Sequence, residues 1–212
     1  MDHNLAKRLT KQVAEFYNAH GFAFARTRGM VWEEEREAAE CIEPGMRVYD
    51  IGAGNGRFAR LVPKGATYIG IEPSDTLRDH PMADAFLCAG GFPHLPVADA
   101  VSDVTVCFAV LHHIPGAEAR RAAVQELIRI TKPGGYIIAT SWADAKQEPM
   151  PNGEGDAGDG FVAWKDGGVD AKRYVHLMQP NEWEDSWNDP RLTHTFIGKR
   201  RPQNWFVMTK KS

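Results

Sequence analysis

Three cysteines in 212 residues, Cys41, Cys88 and Cys107, are too few and too irregularly spaced for a disulfide framework or a metal cluster. Two of them fall on stretches expected to be buried, where a reduced cysteine behaves as a small hydrophobe. The expectation is a cytoplasmic setting and no bound metal. No signal peptide is visible, and no apolar run approaches the roughly 20 residues of a membrane span, so neither targeting nor a membrane is expected. No internal repeat is visible. An excess of positive charge is also missing. The 25 Lys and Arg face 28 Asp and Glu, a formal net charge of −3, which argues against a uniformly basic nucleic-acid surface but not against a local patch. What remains is 43% hydrophobic and 25% charged, an ordinary globular composition in a chain long enough for one domain with a sizeable core.

One stretch organises the rest. The run VYDIGAGNGRF, from Val48 to Phe58, reads as a buried strand (Val48 to Ile51), a turn built on Gly52, Gly54 and Gly56, and a helix expected from near Asn55. Alternate glycines permit positive φ and leave no Cβ in the way of a ligand. A helix after such a turn aims N–H groups and partial positive charge at whatever lies above it. The dinucleotide spacing G-x-G-x-x-G and the Gly-Lys-Ser/Thr of a P-loop are both absent. Asp50 stands at the end of the first strand. A second acid, Glu72, ends the next strand, Thr67 to Ile71, where a carboxylate can accept both hydroxyls of a ribose. The plain alternative is a glycine turn that only tightens a strand–helix joint.

The remaining pattern alternates strands and helices, which predicts a doubly wound, mostly parallel α/β sheet. A helix is expected over Leu5 to about His20, then a glycine-, aromatic- and arginine-rich segment to Trp32 that could close over a ligand, then a helix to Cys41. Strands follow at Asp84–Cys88, Ser102–Val110 and Tyr136–Ser141, with a helix at Ala117–Ile130 and a turn at Lys132–Gly135. Residues 147–160, acidic and poor in apolar side chains, read as a mobile loop. Order resumes at Phe161–Trp164 and Arg173–Met178. A short helix at Asn181–Trp187 opens with Asn181 as its cap, and Arg191–Lys199 pairs antiparallel with Asn204–Thr209. One domain is thus divided into a helical cap (1–44), a ligand-binding core (45–146), the loop, and a final part (161–212).

With Asp50, the three glycines, Glu72, the Leu95-Pro96 loop, the Leu111–Ile114 segment and the Lys132–Gly135 turn in this order, residues 47–141 resemble the class I S-adenosylmethionine-dependent methyltransferases. The resemblance implies a Rossmann-like seven-stranded sheet and S-adenosylmethionine as cofactor. Gly52, Gly54 and Gly56 would hold its methionine part beside Asp50, Glu72 would hold the ribose, and Phe92 and Leu111 would supply apolar wall. The family usually carries an acid shortly before Leu-Pro that accepts from the adenine amine. Gly91 occupies that place here.

Phe22–Arg28 (FAFARTR), Arg173–His176 (RYVH) followed by a glutamate–tryptophan helix, and Asn204–Val207 (NWFV) resemble the tRNA wobble-uridine carboxymethyl methyltransferases, the group that includes the domain fused to an AlkB-type tRNA hydroxylase. Ala163 stands where that group usually has proline, and the linking loop is shorter. The resemblance implies tRNA as substrate, methyl ester formation on a carboxymethyl group, and a possible small activating protein partner. An arginine fork suits a carboxylate acceptor, with Arg26, Arg28 and Arg173 as candidates. Tyr174 and His176 are expected to orient the acceptor or base. His112 and His113 are less informative. Lys199–Arg201, Lys210 and Lys211 are candidates for phosphate contacts, and Trp164, Trp183 and Trp205 for stacking. Two other readings stay open: a small-molecule methyltransferase, and a cofactor-binding subunit that has lost catalysis.

Overall fold

The computed structural model describes residues 1–27, 29–82, 85–166 and 169–212. Arg28, one of the candidate arginines, and Asp84, the expected start of the third strand, lie outside them. In chain order the elements are α1 (His3–Arg26), α2 (Glu33–Ala39), β1 (Arg47–Ile51), β2 (Thr67–Glu72), α3 (Asp75–Arg78), β3 (Leu87–Ala89), β4 (Ser102–Phe108), α4 (Ala117–Ile130), β5 (Thr131–Trp142), β6 (Glu148–Pro149), β7 (Asp159–Asp166), β8 (Val169–His176), α5 (Pro180–Ser186), β9 (Leu192–Arg201) and β10 (Asn204–Lys211). Among the described residues no helix is long and apolar enough to cross a membrane.

The main sheet has seven strands in the order β3-β2-β1-β4-β5-β10-β9. β1 to β5 run parallel, and β10 lies antiparallel to both neighbours. This is the expected doubly wound architecture. Both faces are buried along the central strands, which are apolar on both sides, while the edge strand β9 is half-buried to exposed throughout. On β10, Phe206 and Met208 pack with Val48, Phe58, Val104 and Ile138, while Trp205 and Val207 pack with Ile51, Leu127, Trp183 and Trp187 on the opposite face. Strand order reverses between β2-β1 and β4-β5, so a crevice opens at the carboxyl ends of β1 and β4, the usual ligand position in such sheets.

Several expected boundaries are corrected. α1 runs six residues past His20. Gly21 continues the helix because an added Cβ there would lie 3.0 Å from the Leu77 side chain, so its absence lets α1 press onto α3. The glycine turn leads into a 3-10 helix at Arg57–Leu61, not an α-helix from Asn55. Its short length weakens the dipole argument. The Lys132–Gly135 turn lies inside β5 as a bulge: Thr131 pairs with Ser102 and Tyr136 with Val104. α5 is capped by Gln179 with Pro180 in its first turn, without a side-chain bond from Asn181.

The acidic stretch 147–160 holds more structure than a loop. Glu148 and Pro149 pair with Phe161 and Gly160, and β6, β7 and β8 form a separate antiparallel sheet. Asp156 and Asp159 tie the stretch together through the Asp156 N–H to Asp159 Oδ2 bond of 2.6 Å. β8 packs beneath α1, which brings the small sheet to the mouth of the crevice.

Candidate active site

The three glycines of the turn have separate jobs. All have positive φ, +74° at Gly52, +59° at Gly54 and +74° at Gly56. A Cβ on Gly52 would lie 2.3 Å from Val110 Cγ2, and one on Gly56 would lie 2.5 Å from Ala85 Cβ. Gly56 is thus a packing glycine and is not a wall of the cavity. A Cβ on Gly54 would meet nothing within 4 Å and would project into open space above the turn. That space is a cavity of about 260 Å³ lined by Asp50, Gly52, Gly54, Glu72, His112 and Arg173 among others. A second lobe of about 180 Å³ is lined by Gly91, Phe92 and Ile114. The two lobes share Tyr17, Gly52, Glu72, Val110 and His113. They form one bent cleft with Glu72 at its waist.

The carboxylates of the cleft are buried and mutually placed by hydrogen bonds. Glu72 Oε2 accepts from Gly54 N–H and Oε1 from Ser74 N–H, each at 2.9 Å. Burial raises its pKa and these N–H bonds oppose the rise. Asp50 accepts from the Tyr68 hydroxyl at 2.8 Å. Burial is the main force pushing its pKa up to about 7. Glu35, raised by burial, pairs with Arg57 at 2.6 Å, whose guanidinium lies over Trp32. Leu111, expected as a wall, is fully buried in the core and borders neither lobe; its neighbours Val110, His112 and His113 do.

α1 roofs the cleft. Tyr17 hydroxyl bonds His113 Nε2 at 2.8 Å, and its carbonyl accepts from Ser74 Oγ at 3.2 Å. Beyond the glycine turn the cavity ends at β8 and Trp142. Arg173 is 2% exposed, and its Nε and Nη1 find no hydrogen-bond partner among the described residues. Its guanidinium lies 5.3 to 5.4 Å from the ring centres of Phe16, Phe24 and Trp142. Aromatic faces hold an arginine without consuming its N–H groups.

Tyr174 and His176 are not in the cavity. Successive strand residues point to opposite faces, so Arg173 faces the cleft and these two face away. Tyr174 donates to Asp159 Oδ1 at 2.6 Å, and His176 bridges Asp159 and Glu182 at 2.7 and 2.6 Å. Glu182 in turn pairs with Arg120. Burial alone would lower the His176 pKa, but these two carboxylates outweigh it and raise it. The group is a scaffold behind Arg173.

The stacking candidates are corrected as well, and part of the basic run is engaged within the fold. Trp164, Trp183 and Trp205 are buried. Arg200 pairs with Glu37 and Arg201 with Glu34, Lys199 and Lys210 lie over Trp205 and Tyr136, and Lys211 Nζ caps the Ile128 and Thr131 carbonyls. The C-terminal basic run is tied into the fold. Trp142 and Asn204 line the cavity; Asn204 opens the NWFV motif, whereas no sequence signal marked Trp142.

A family model described as a methyltransferase domain matches residues 49–139, the span from β1 to β5 that builds the cleft. A SAM-dependent methyltransferase structure from Methanosarcina mazei superposes with a TM-score of 0.68 at 16% identity, covering 85% of this chain and 98% of that one. Residues 49–139 thus match a methyltransferase domain, set in the fold of the S-adenosylmethionine-dependent methyltransferases. Among curated relatives, a tRNA (carboxymethyluridine(34)-5-O)-methyltransferase of Arabidopsis thaliana is 34% identical over 65% of this chain and 34% of its own length. The ALKBH8 enzyme of the same name from Macaca fascicularis is 33% identical over 65% of this chain and 21% of its own length. The chain therefore spans about a fifth to a third of the length of these two relatives. Two further structures share its fold. A putative methyltransferase in complex with the Haloferax volcanii Trm112 activator has a TM-score of 0.66 at 14% identity, covering 94% and 97% of the two chains. A Burkholderia thailandensis N-methyltransferase with bound S-adenosylhomocysteine has a TM-score of 0.66 at 16% identity, covering 100% and 91%.

The cleft of the methyltransferase domain fits S-adenosylmethionine. Gly54 leaves the space that a Cβ would fill; Glu72 at the waist would hold the ribose, and the lobe at Phe92 would take the adenine. Glu72→Ala is expected to weaken cofactor binding by about 1–3 kcal/mol, the range for a lost hydrogen bond to a charged group. Calorimetric titration measures this, and unchanged affinity would remove Glu72 from the ribose. Gly91→Asp is expected to do the opposite. A Cβ at Gly91 meets Pro73 at an ordinary 3.5 Å, and the backbone is outside the positive-φ region. An acid there gains an adenine-amine acceptor, so cofactor should bind about two- to tenfold tighter. Weaker binding in the same titration would place adenine elsewhere.

Proposed function

We propose that this domain esterifies the carboxylate of carboxymethyluridine at the wobble position of tRNA. The observation that supports the acceptor class is Arg173, a buried arginine with two unpaired N–H groups facing the cleft. A buried charge without a partner is costly, and the planar guanidinium matches a carboxylate with two hydrogen bonds. The curated relatives' names supply the particular carboxylate. S-adenosylmethionine, when bound, supplies an electrophilic methyl group on a sulfonium. A carboxylate of ordinary pKa, near ~4, is ionised at neutral pH, so no general base is needed. His113, held near 3 by burial and by Arg173, stays neutral beside it. The task left to the chain is to hold the acceptor in line at close range. Arg173 binds it, and Trp142, Phe24 and the α1 roof shield it from water. On this reading the activity is cytoplasmic, and the Trm112 complex among the fold neighbours motivates a small protein activator.

The test is single-turnover methyl transfer to tRNA carrying carboxymethyluridine, with unmodified tRNA as control, with and without a Trm112-type protein. Transfer to the modified tRNA alone is expected. Equal labelling of both tRNAs, or of neither under any condition, would reject the proposal. A second reading, a small free carboxylate as acceptor, is favoured by the engagement of Arg200, Arg201 and Lys211 within the fold. Transfer to carboxymethyluridine nucleoside as fast as to tRNA would support it.

A further inference from the structure

We infer that His112 is a second acceptor-binding residue, donating its Nε2–H to the carboxylate that Arg173 holds. The inference rests on the carboxylate reading above and adds to it the residue that orients the attacking oxygen. Trp142 N–H donates to His112 Nδ1 at 3.3 Å. A nitrogen that accepts carries no proton in the neutral ring, so the proton sits on Nε2. The ring is 0% exposed, and Nε2 has no partner among the described residues. It borders the same cavity as Arg173. The imidazole is stacked on Trp142 at 4.5 Å with an 18° tilt, and Arg173 lies 5.4 Å from that indole, so one indole carries both donors. Burial and the nearby Arg173 keep His112 neutral. It therefore acts as a fixed donor and not as an acid or base. Its neighbour shows the contrast. His113 spends Nδ1 on the Tyr174 carbonyl at 3.0 Å and Nε2 on the Tyr17 hydroxyl, and has nothing left for a ligand.

The chemistry balances without a proton transfer. One carboxylate oxygen forms the new bond to the methyl carbon, the methyl–sulfur bond breaks with its electron pair staying on sulfur, and the products are a neutral ester and a thioether. Arg173 and His112 donate to the carboxylate and lower the freedom of the oxygen that attacks.

Two substitutions separate donation from structural support. His112→Asn keeps an oxygen near Nδ1 for Trp142 N–H but loses the distant donor. His112→Gln places an amide N–H near Nε2 but loses the Trp142 bond. Single-turnover transfer to an anticodon stem-loop RNA bearing carboxymethyluridine, at saturating cofactor, should fall about ten- to a hundredfold in His112→Asn and only a few-fold in His112→Gln. The reverse order, or His112→Asn at the wild-type rate, overturns the role. A rate-independent readout is the affinity of the full-length chain, with S-adenosylhomocysteine present, for the acid-bearing RNA against its methyl ester. His112→Asn should lose about tenfold in preference for the acid while binding the ester unchanged; an unaltered preference overturns the inference. A wild-type protein that ignores RNA but esterifies a small carboxylate in a His112-dependent way would overturn the substrate assignment alone.

Discussion

Gly54→Val is expected to remove detectable S-adenosylmethionine binding from a protein that still folds. Gly54 has φ of +59°, and no atom lies within 4 Å of where its Cβ would be. The Cβ of a valine there meets no protein atom within 4 Å, so the main sheet and its packing should stay intact apart from about 1–3 kcal/mol of backbone strain. Its methyl groups instead occupy the cavity beside Asp50 and Glu72. The loss should reach about two orders of magnitude or more, about 3 kcal/mol at 1.4 kcal/mol per decade. Titration calorimetry with a thermal unfolding curve on the same sample measures both halves. The contrast is Gly56→Val, which drives a side chain into Ala85 and Leu87 and should cost stability first. Normal cofactor binding by Gly54→Val would make the turn structural and remove the cofactor from this lobe.

The second large effect is at Arg173. Arg173→Ala should slow single-turnover methyl transfer by about 10²–10⁴, two charge-assisted hydrogen bonds of about 1.5–3 kcal/mol each. Lysine keeps the charge but loses the two-point fork, so Arg173→Lys should fall between alanine and wild type. Cofactor affinity should change little, because the arginine sits beyond the glycine turn. At saturating cofactor the rate should stay flat from about pH 6 to 8, since a carboxylate titrates near ~4 and neither active-site histidine gains charge in that window. Saturation matters because Asp50, raised to about 7, gains its negative charge as pH rises through that value in the free protein. A cofactor ammonium beside it then binds better, which would imitate a catalytic base at low cofactor. A steep pH dependence that survives saturation would exclude the carboxylate mechanism.

The half of the site built from β1, β2 and their turns could be read from residues alone. Apolar runs flanked by glycines mark buried parallel strands, and an acid after each of two such runs, Asp50 and Glu72, lands at the carboxyl edge. The acceptor half could not be read the same way. The motif at 173–176 points to four residues, but a strand shows alternate residues to opposite sides, so Tyr174 and His176 had to leave the cleft once Arg173 entered it. Three tryptophans looked available for bases, yet burial in the core is worth more to an indole than exposure. The sequence pattern ends the first helix near His20, yet it runs on through Gly21, whose missing Cβ makes room for Leu77, 56 positions later. The role of His112 depends on the Trp142 N–H, and a pairing between residues 30 positions apart leaves no local pattern.

Among the described residues, the antiparallel sheet of β6, β7 and β8 contributes Arg173 to the cleft and no other residue bordering either lobe. The rest of the cleft wall comes from α1, α2, α3 and the main sheet with its loops. This division matters for how such a chain diverges. A duplicated copy can exchange or rebuild residues 148–176 and meet a new acceptor while inheriting its methyl-donor half unchanged. Drift concentrated in that insert would mark a change of substrate among descendants, and drift in the glycine turn would mark a loss of methylation altogether.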